Sequence, residues 1–328
     1  MNSATPLLKP HRRELPLKVG TRASPLARAQ TATFLALLQK FCPVLKGMDV
    51  FQEHIIDTTG DVVQDRALAE IGGKGLFAKE IHEALAAGRI DFAVHSLKDL
   101  ETELPPGITL ACTLKREDAR DVLVLPAGHG AIDPGDPYAA LPIGATIGSA
   151  SVRRQAQLKN ARPDLNFALL RGNVGTRLAK INAGAYAATL LAYAGLRRLG
   201  LQDHASVILS PDLMVPSACQ GIIGITTRTE DTELLAMLSG IEDSEAKAVA
   251  AAERALLAAL DGSCRTPIGG YARLLETGDL HLTGLVARAD GSFLLKRTVT
   301  GPKADAARIG RALGLSLKAD SPADIFAP

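Results

Sequence analysis

Leu17-Lys18-Val19-Gly20-Thr21-Arg22-Ala23-Ser24-Pro25-Leu26 is the stretch whose reading decides the fold. A short β-like run ends at Gly20 and a polar loop follows. Ser24 and Pro25 then supply an N-cap and a first helical residue for a helix that reaches about Lys40. The serine hydroxyl can accept one of the orphan N–H groups of the first turn, and proline has no N–H to leave unpaired there. Repetition of such strand, loop and helix units predicts an α/β fold with a mainly parallel sheet.

Outward from this stretch the unit recurs. Leu76 to Ala87 reads as a helix closed by Gly88, and Ile90 to Val94 as a strand whose far end delivers His95, Ser96, Lys98 and Asp99. After Pro142, Ile143 to Ile147 reads as a strand, Gly148-Ser149-Ala150-Ser151 as a loop, and Val152 to Asn160 as a helix capped by Ser151. Phe167 to Leu170 leads into Arg171-Gly172-Asn173 and a helix from Val174 to Asn182, and Ala187 to Ala192 leads to Gly195-Leu196-Arg197-Arg198. The octets 23–30 and 150–157 agree at four of eight positions, a weak echo consistent with two similarly built lobes. Lys115 to Asp121 and Ser210 to Pro216 are candidate crossings between them. Glu245 to Leu260, free of Gly and Pro and capped by Asp243 or Ser244, opens a C-terminal unit. Leu280 to Leu285 and Phe293 to Thr300, joined through Asp290-Gly291, read as a hairpin within it.

Composition bounds what this architecture can do. The 328 residues predict two or three domains at roughly 100 to 200 residues each. Hydrophobic residues at 47% and charged ones at 22% are globular proportions, and 4% aromatics with no Trp call for an aliphatic, Ala-rich core. Lys and Arg number 37 against 35 Asp and Glu, so the net charge of +2 gives no footprint for nucleic acid. The longest uncharged apolar stretch, about Ala183 to Leu196, is short of the ~18 to 20 residues a membrane span needs, so no membrane partner is expected. Lys9, His11, Arg12 and Arg13 precede no apolar run, so residues 1–16 read as a disordered lead-in and the expected location is the cytoplasm. Cys42, Cys112, Cys219 and Cys264 are far apart and read as free thiols, and the seven His residues show no metal-binding spacing, so no metal is expected.

In open α/β sheets ligands bind beyond the carboxyl ends of the strands, and those ends carry Arg22, Lys98, Asp99, Arg153, Arg154, Arg171, Arg177 and Arg198. Cations in a first helical turn oppose the helix dipole by roughly 0.3 to 1 kcal/mol each. Arg153 and Arg154 therefore sit where stability alone prefers Asp or Glu, and an anionic partner would reverse the sign. Helix N–H groups and guanidinium forks suit carboxylates or phosphates, and stacking aromatics do not accompany the arginines, so a small polyanion fits better than a nucleic acid. Asp99 among these cations should stay ionised and could stabilise a cationic intermediate; the alternative is a structural ion pair. Gly72-Gly73-Lys74-Gly75 lacks the spacing of a phosphate loop and reads as a flap. Cys264 lies in a turn rich in Gly and Pro just past a helix C-terminus, which does not activate a thiol and suits covalent attachment better than rapid turnover.

Thr21-Arg22-x-Ser24-Pro25-Leu26, Ile71-Gly72-Gly73-Lys74-Gly75-Leu76-Phe77 and Val94-His95-Ser96-x-Lys98-Asp99 resemble motifs of the hydroxymethylbilane synthase, or porphobilinogen deaminase, family. So do Arg153-Arg154-Gln155, Leu170-Arg171-Gly172-Asn173-Val174-x-Thr176-Arg177 and Gly262-x-Cys264-x-x-Pro267-Ile268-Gly269. The resemblance runs from about Leu17 to the end. It implies two lobes like those of periplasmic binding proteins, residues 17–114 with 222–239 and residues 120–215, plus a small α+β cofactor-attachment domain at 244–328. It implies a dipyrromethane cofactor held by Cys264 through a thioether, to which four porphobilinogens are added before hydroxymethylbilane is released. Asp99 would be catalytic. Ser24, Lys98, Ser151, Arg153, Arg154 and Arg171 would hold the cofactor, Arg22, Arg171, Arg177 and Arg198 the substrate, and the loop through Lys74 would cover the site. By analogy the enzyme is a monomer.

Three positions depart from that pattern. Cys219 stands where the family usually has Gly and is a candidate second reactive thiol, Glu101 stands where Pro is common, and Arg265 adjoins Cys264. A non-catalytic two-lobed polycarboxylate-binding protein would use the same lobes and arginines but needs no Cys264. A cysteine acyl-transfer enzyme would need a base near Cys264, and no His is close in sequence.

Overall fold

The computed structural model describes residues 15–46, 49–62, 75–261 and 266–326. In the first sheet, β1 (Leu17–Thr21) lies between β2 (Phe51–Ile55) and β3 (Phe92–Ser96), parallel to both. β4 (Ile108–Thr113) forms the far edge, and a strand from much later in the chain, Ile223–Arg228, is inserted between β3 and β4, antiparallel to each. The second sheet repeats this plan. β6 (Thr146–Gly148) lies between β7 (Asn166–Ala168) and β8 (Ala188–Ala192), parallel to both, and β5 (Asp121–Val124) runs antiparallel between β8 and the edge strand β9 (Val207–Ile208). With Ile223–Arg228 as β10, the orders are β2-β1-β3-β10-β4 and β7-β6-β8-β5-β9. Each inserted antiparallel strand is the first strand after the chain crosses from the other sheet.

Local chemistry sets the helices. α1 (Pro25–Phe41) starts where Ser24 Oγ accepts from the Ala27 N–H, and it buries Ala27, Gln30, Thr31, Phe34 and Leu38, one face at helical spacing. Phe34 meets Phe92 of β3 edge to face at 5.3 Å between ring centres, and full burial of such a ring stabilises by about 1.5–3 kcal/mol. α3 (Val152–Ala161), which follows a shorter α2 (Lys79–Ala86), has the same kind of start, with Ser151 Oγ accepting from the Arg154 N–H. The octet echo between 23–30 and 150–157 therefore falls on equivalent positions, each octet following the second strand in the order of its sheet, β1 or β6.

α4 (Val174–Asn182), α5 (Tyr193–Arg198) and α6 (Thr232–Ser239) complete the two lobes. A third, antiparallel sheet of β11 (Ile268–Leu274), β12 (Leu280–Ala287) and β13 (Leu294–Gly301) packs one face on α7 (Ser244–Ala259) and α8 (Ala306–Ala319). Asp243 caps α7 through the N–H groups of Glu245 and Ala246. No described helix is long and apolar enough to cross a membrane.

Several boundaries differ from the sequence expectation. α2 begins at Lys79 because Gly75, with φ +81°, and a turn over 76–78 precede it. β3 lies two residues later than 90–94, because a strand buried on both faces has no polar alternation to mark its ends. The expected strand at 143–147 starts only at Thr146, and Ile143 is 91% exposed.

Candidate active site

β1 and β3 are neighbours in register, Val19 opposite Phe92 and Gly20 opposite Ala93, so their carboxyl ends bring Arg22 and the run from His95 to Asp99 to one edge. The loops after β6, β7 and β8 form the facing edge of the other lobe. Between them lies a cavity of about 670 Å³, whose wall takes Arg22, Ser24, Lys98 and Asp99 from the first lobe and Arg154, Arg171 and Arg177 from the second. Five cations and two carboxylates, Asp61 and Asp99, line it among the described residues.

Each cation has a distinct setting. Arg22 donates to Asp61 at 2.8 and 2.5 Å, lies 3.8 Å from Asp99, and stacks on the Phe77 ring at 4.2 Å. Burial alone would lower its pKa, but Asp61 and Asp99 outweigh it and hold the guanidinium above its ordinary value. Lys98 Nζ donates to Gln220 Oε1 at 3.2 Å. Burial pushes this ammonium down to about 8, with Arg154 and Arg153 adding to the effect and Asp99 and Asp121 opposing it. Arg177 donates to the Gly172 carbonyl at 2.9 Å and is brought down to about 10 by burial and by Arg154 and Arg171. Arg171 Nη2 reaches across the cleft to the Gly60 carbonyl at 3.1 Å.

Arg153 and Arg154 explain their own position at a helix start. Both turn to Asp121, which is wholly buried at the head of β5: Arg153 at 2.8 Å and Arg154 at 2.7 and 3.2 Å. Burial alone would raise the Asp121 carboxyl, yet the two guanidiniums hold it well below the usual carboxylate range. The anion that the dipole argument demanded is supplied first by the chain itself. Arg154 still reaches the cavity wall, whereas Arg153, also bonded to the Val215 carbonyl at 2.6 Å, does not line it. Ser151 does not line it either, nor does Arg198, which donates to the Gly221 carbonyl at 2.6 Å. Lys74 and Cys264 lie outside the described residues.

Other wall residues were given no role from the sequence. Gln30 and Ser96 bond to each other at 2.8 and 3.1 Å in the cavity wall. A signal for Gln30 existed, since it is a polar residue on the buried face of α1. Asp61 had none at the level of spacing, whereas Phe77 and the N-cap Asn173 fall within the quoted motifs without an assigned role. Gln220 is equally central: its Nε2 donates to Asp121 at 2.9 Å and to the Ala119 carbonyl at 2.7 Å, linking both crossings to Lys98. His95 packs at the strand end with Nε2 2.9 Å from Thr226 Oγ1, and burial with His82 and Arg22 nearby pushes it down to about 3.

Cys42, Cys112 and Cys219 are unpaired thiols. The expectation of reactivity at Cys219 is corrected, because its side chain is 2% exposed and burial beside Glu253 pushes the thiol up to about 12. Its backbone has φ +61°, the left-handed region in which Gly is at ease. No group of His, Cys, Asp and Glu able to hold a metal is present among the described residues.

Residues 17–236 match the family model "Porphobilinogen deaminase, dipyromethane cofactor binding domain", and 246–319 match "Porphobilinogen deaminase, C-terminal domain". The porphobilinogen deaminase of Nitrobacter winogradskyi is 48% identical over 293 residues, 89% of each chain. That of Paracoccus denitrificans is 46% identical over 312 residues, 95% of this chain and 96% of its own. Among solved structures, the periplasmic VFT2 domain of Bordetella pertussis BvgS is similar at 17% identity and a TM-score of 0.39, over 71% of this chain and 91% of that one. On the matched family models, which together span most of the sequence, the chain belongs to the porphobilinogen deaminase family.

Proposed function

We propose that the chain deaminates porphobilinogen and condenses four molecules head to tail on a dipyrromethane primer, releasing hydroxymethylbilane for tetrapyrrole biosynthesis. The observation that carries this reading is the cleft in which Arg22, Lys98, Arg154, Arg171 and Arg177 surround the partly exposed carboxylate of Asp99. The alternative of a non-catalytic polycarboxylate-binding protein falls with the family membership.

The donor set fits a polypyrrole. Each ring carries two carboxylates for the guanidiniums and one N–H for a carboxylate acceptor. When bound, the primer supplies the nucleophilic pyrrole carbon at which the chain is extended. Asp99 accepts ring N–H groups and offsets the positive charge that builds as ammonia leaves. Unit charges 4 Å apart attract by about 4 kcal/mol at an effective dielectric of 20, before desolvation. We assign Ser24, Lys98, Ser151, Arg153, Arg154 and Arg171 to the primer and Arg22, Arg171, Arg177 and Arg198 to incoming substrate. Arg198 reaches ligand carboxylates by exchanging the Gly221 carbonyl for a charged acceptor, and Arg153 by exchanging the Val215 carbonyl while it keeps Asp121. Cys264 holds the primer through a thioether, and the segment through Lys74 covers the cleft.

The same reading divides the chain into lobes at 17–114 with 222–239 and at 120–215, followed by an attachment domain at 244–328. It makes the enzyme a cytoplasmic monomer without nucleic-acid or membrane partners, which sedimentation at the mass of one chain would support. The deciding test is the intact mass of wild-type protein and of Cys264→Ser, before and after porphobilinogen is added. Wild type is expected to carry a two-pyrrole adduct that grows in one-pyrrole steps, and the variant none. A wild-type protein made where porphobilinogen is available that carries no adduct and gains none would overturn the proposal.

A further inference from the structure

The β11–β13 sheet has only one face on α7 and α8. Ala272, Leu280 and Leu282 belong to that buried core, so at a period of two Tyr271, Arg273, His281 and Thr283 point the other way. The register sets Tyr271 opposite Thr283 and Arg273 opposite His281, which gathers the four on one patch. Facing the patch are the two crossings, with Arg120 just before β5 and Asp212 after β9. Between sheet and crossings lies a second cavity of about 340 Å³, lined by these residues.

The charges around it do not cancel in pairs. Arg120 is matched by Asp118, at 2.6 to 3.1 Å. The exposed guanidinium of Arg273 has no hydrogen-bond or ion-pair partner among the described residues. Lys296 adds a cation at the rim, where Nζ donates to the Asp212 carbonyl at 3.0 Å. The wall is also ordered. Tyr271 lies with its ring 5.3 Å from the Arg116 guanidinium, and His281 Nδ1 is 2.9 Å from Thr300 Oγ1, which fixes the imidazole and leaves Nε2 on its other edge. A guanidinium fork beside an imidazole, a phenol and a hydroxyl is a donor set for an oxyanion.

We propose that this cavity is an anion site, separate from the cleft between the lobes, for a small molecule bearing a phosphate or carboxylate group. Arg273 is its main ligand, and Arg120 and His281 complete it. An anion held there joins the first crossing to the C-terminal sheet. Asp212, the carboxylate in the wall, subtracts from the field, so the site is weak, with a Kd on the order of 1 mM.

The chain has no Trp, so Tyr271→Trp installs a single indole in the wall as a reporter. Titration of this variant with inorganic phosphate, and in a second arm with succinate, against chloride at equal ionic strength, is expected to change the indole emission saturably. The tighter arm distinguishes a phosphate from a carboxylate ligand. Adding Arg273→Ala is expected to weaken the tighter arm about tenfold or more, as loss of a charge-assisted hydrogen bond does. The same titration read from the His281 ring protons of the unsubstituted protein, assigned with His281→Gln, guards against disturbance by the indole. A response equal in chloride, one that Arg273→Ala leaves unchanged, or none from either reporter up to about 50 mM overturns the proposal. The readout is binding and not turnover, so this result is independent of the transferase assignment.

Discussion

Asp121 shows how much one buried carboxylate can organise. It accepts from Arg153, Arg154 and Gln220, and through them it sets a cleft wall, a crossing and Lys98. Asp121→Asn removes the counter-charge of two buried guanidiniums and is expected to cost about 3–5 kcal/mol, read as a fall in the denaturant midpoint. Lys98 carries a pH signature. Its folded-state pKa of about 8 lies below the ordinary lysine value, so the cation is present below about 8 and lost as pH rises through it. The rate at which primer-free protein takes up porphobilinogen should therefore fall above about pH 8, and Lys98→Arg should abolish that break even if the overall rate drops. Cys219 holds φ +61° at a cost of about 1–2 kcal/mol and returns part of it by burying its side chain. Cys219→Gly should leave stability within about 1 kcal/mol of wild type, whereas Cys219→Val, β-branched at a positive φ, should lower it by more than about 2 kcal/mol. Comparison of their unfolding midpoints tests the difference.

Helices and strands differed in how plainly the sequence announced them. α1 was legible because Ser24, Pro25 and the spacing from Ala27 to Leu38 agree, and α7 because Asp243 precedes a run without Gly or Pro. β11, with Gly269 and Gly270 at its start, has the composition of a turn, and its pairing with β12 supplies what propensity does not. α8 is the clearer case. Gly310 and Gly314 make it a poor helix in isolation, but a Cβ at Gly310 would lie 2.0 Å from the Ala252 carbonyl, and one at Gly314 would lie 2.7 Å from Ala259 Cβ. Two glycines one turn apart let α8 approach the backbone of α7. Gly310→Ala should therefore destabilise by about 1–2 kcal/mol in thermal melts, opposite in sign to the gain of about 1 kcal/mol that helix propensity alone would give.

Across the whole molecule, Arg116 on the first crossing is the junction of the three sheets. It donates to both oxygens of the wholly buried Glu253 on α7 at 2.7 and 3.2 Å, to the Ala272 carbonyl of β11 at 3.1 Å, and to the Gln220 carbonyl of the second crossing at 2.8 Å. Glu253 in turn accepts the N–H groups of Cys219 and Ala272, both at 2.5 Å. Arg116→Ala leaves that carboxylate buried without a counter-charge. We expect a loss of about 3–5 kcal/mol, only partly restored by Arg116→Lys, because an ammonium cannot reproduce the fork. Calorimetry would show whether the C-terminal unit then melts apart from the lobes.

The sequence by itself determined the class of fold, the strand-end location of the site and its cationic character. Caps, periodicity and residue type are local properties, and the strand, loop and helix grammar carries side chains to a carboxyl edge wherever the strands finally pair. Only the tertiary structure decided which cations face the cavity and which face Asp121, that Gln220 joins the crossings to Lys98, and that β5 and β10 trade places between the sheets. Those outcomes depend on partners about 30 to 140 residues apart in sequence and on a balance between desolvation and pairing that no local pattern encodes.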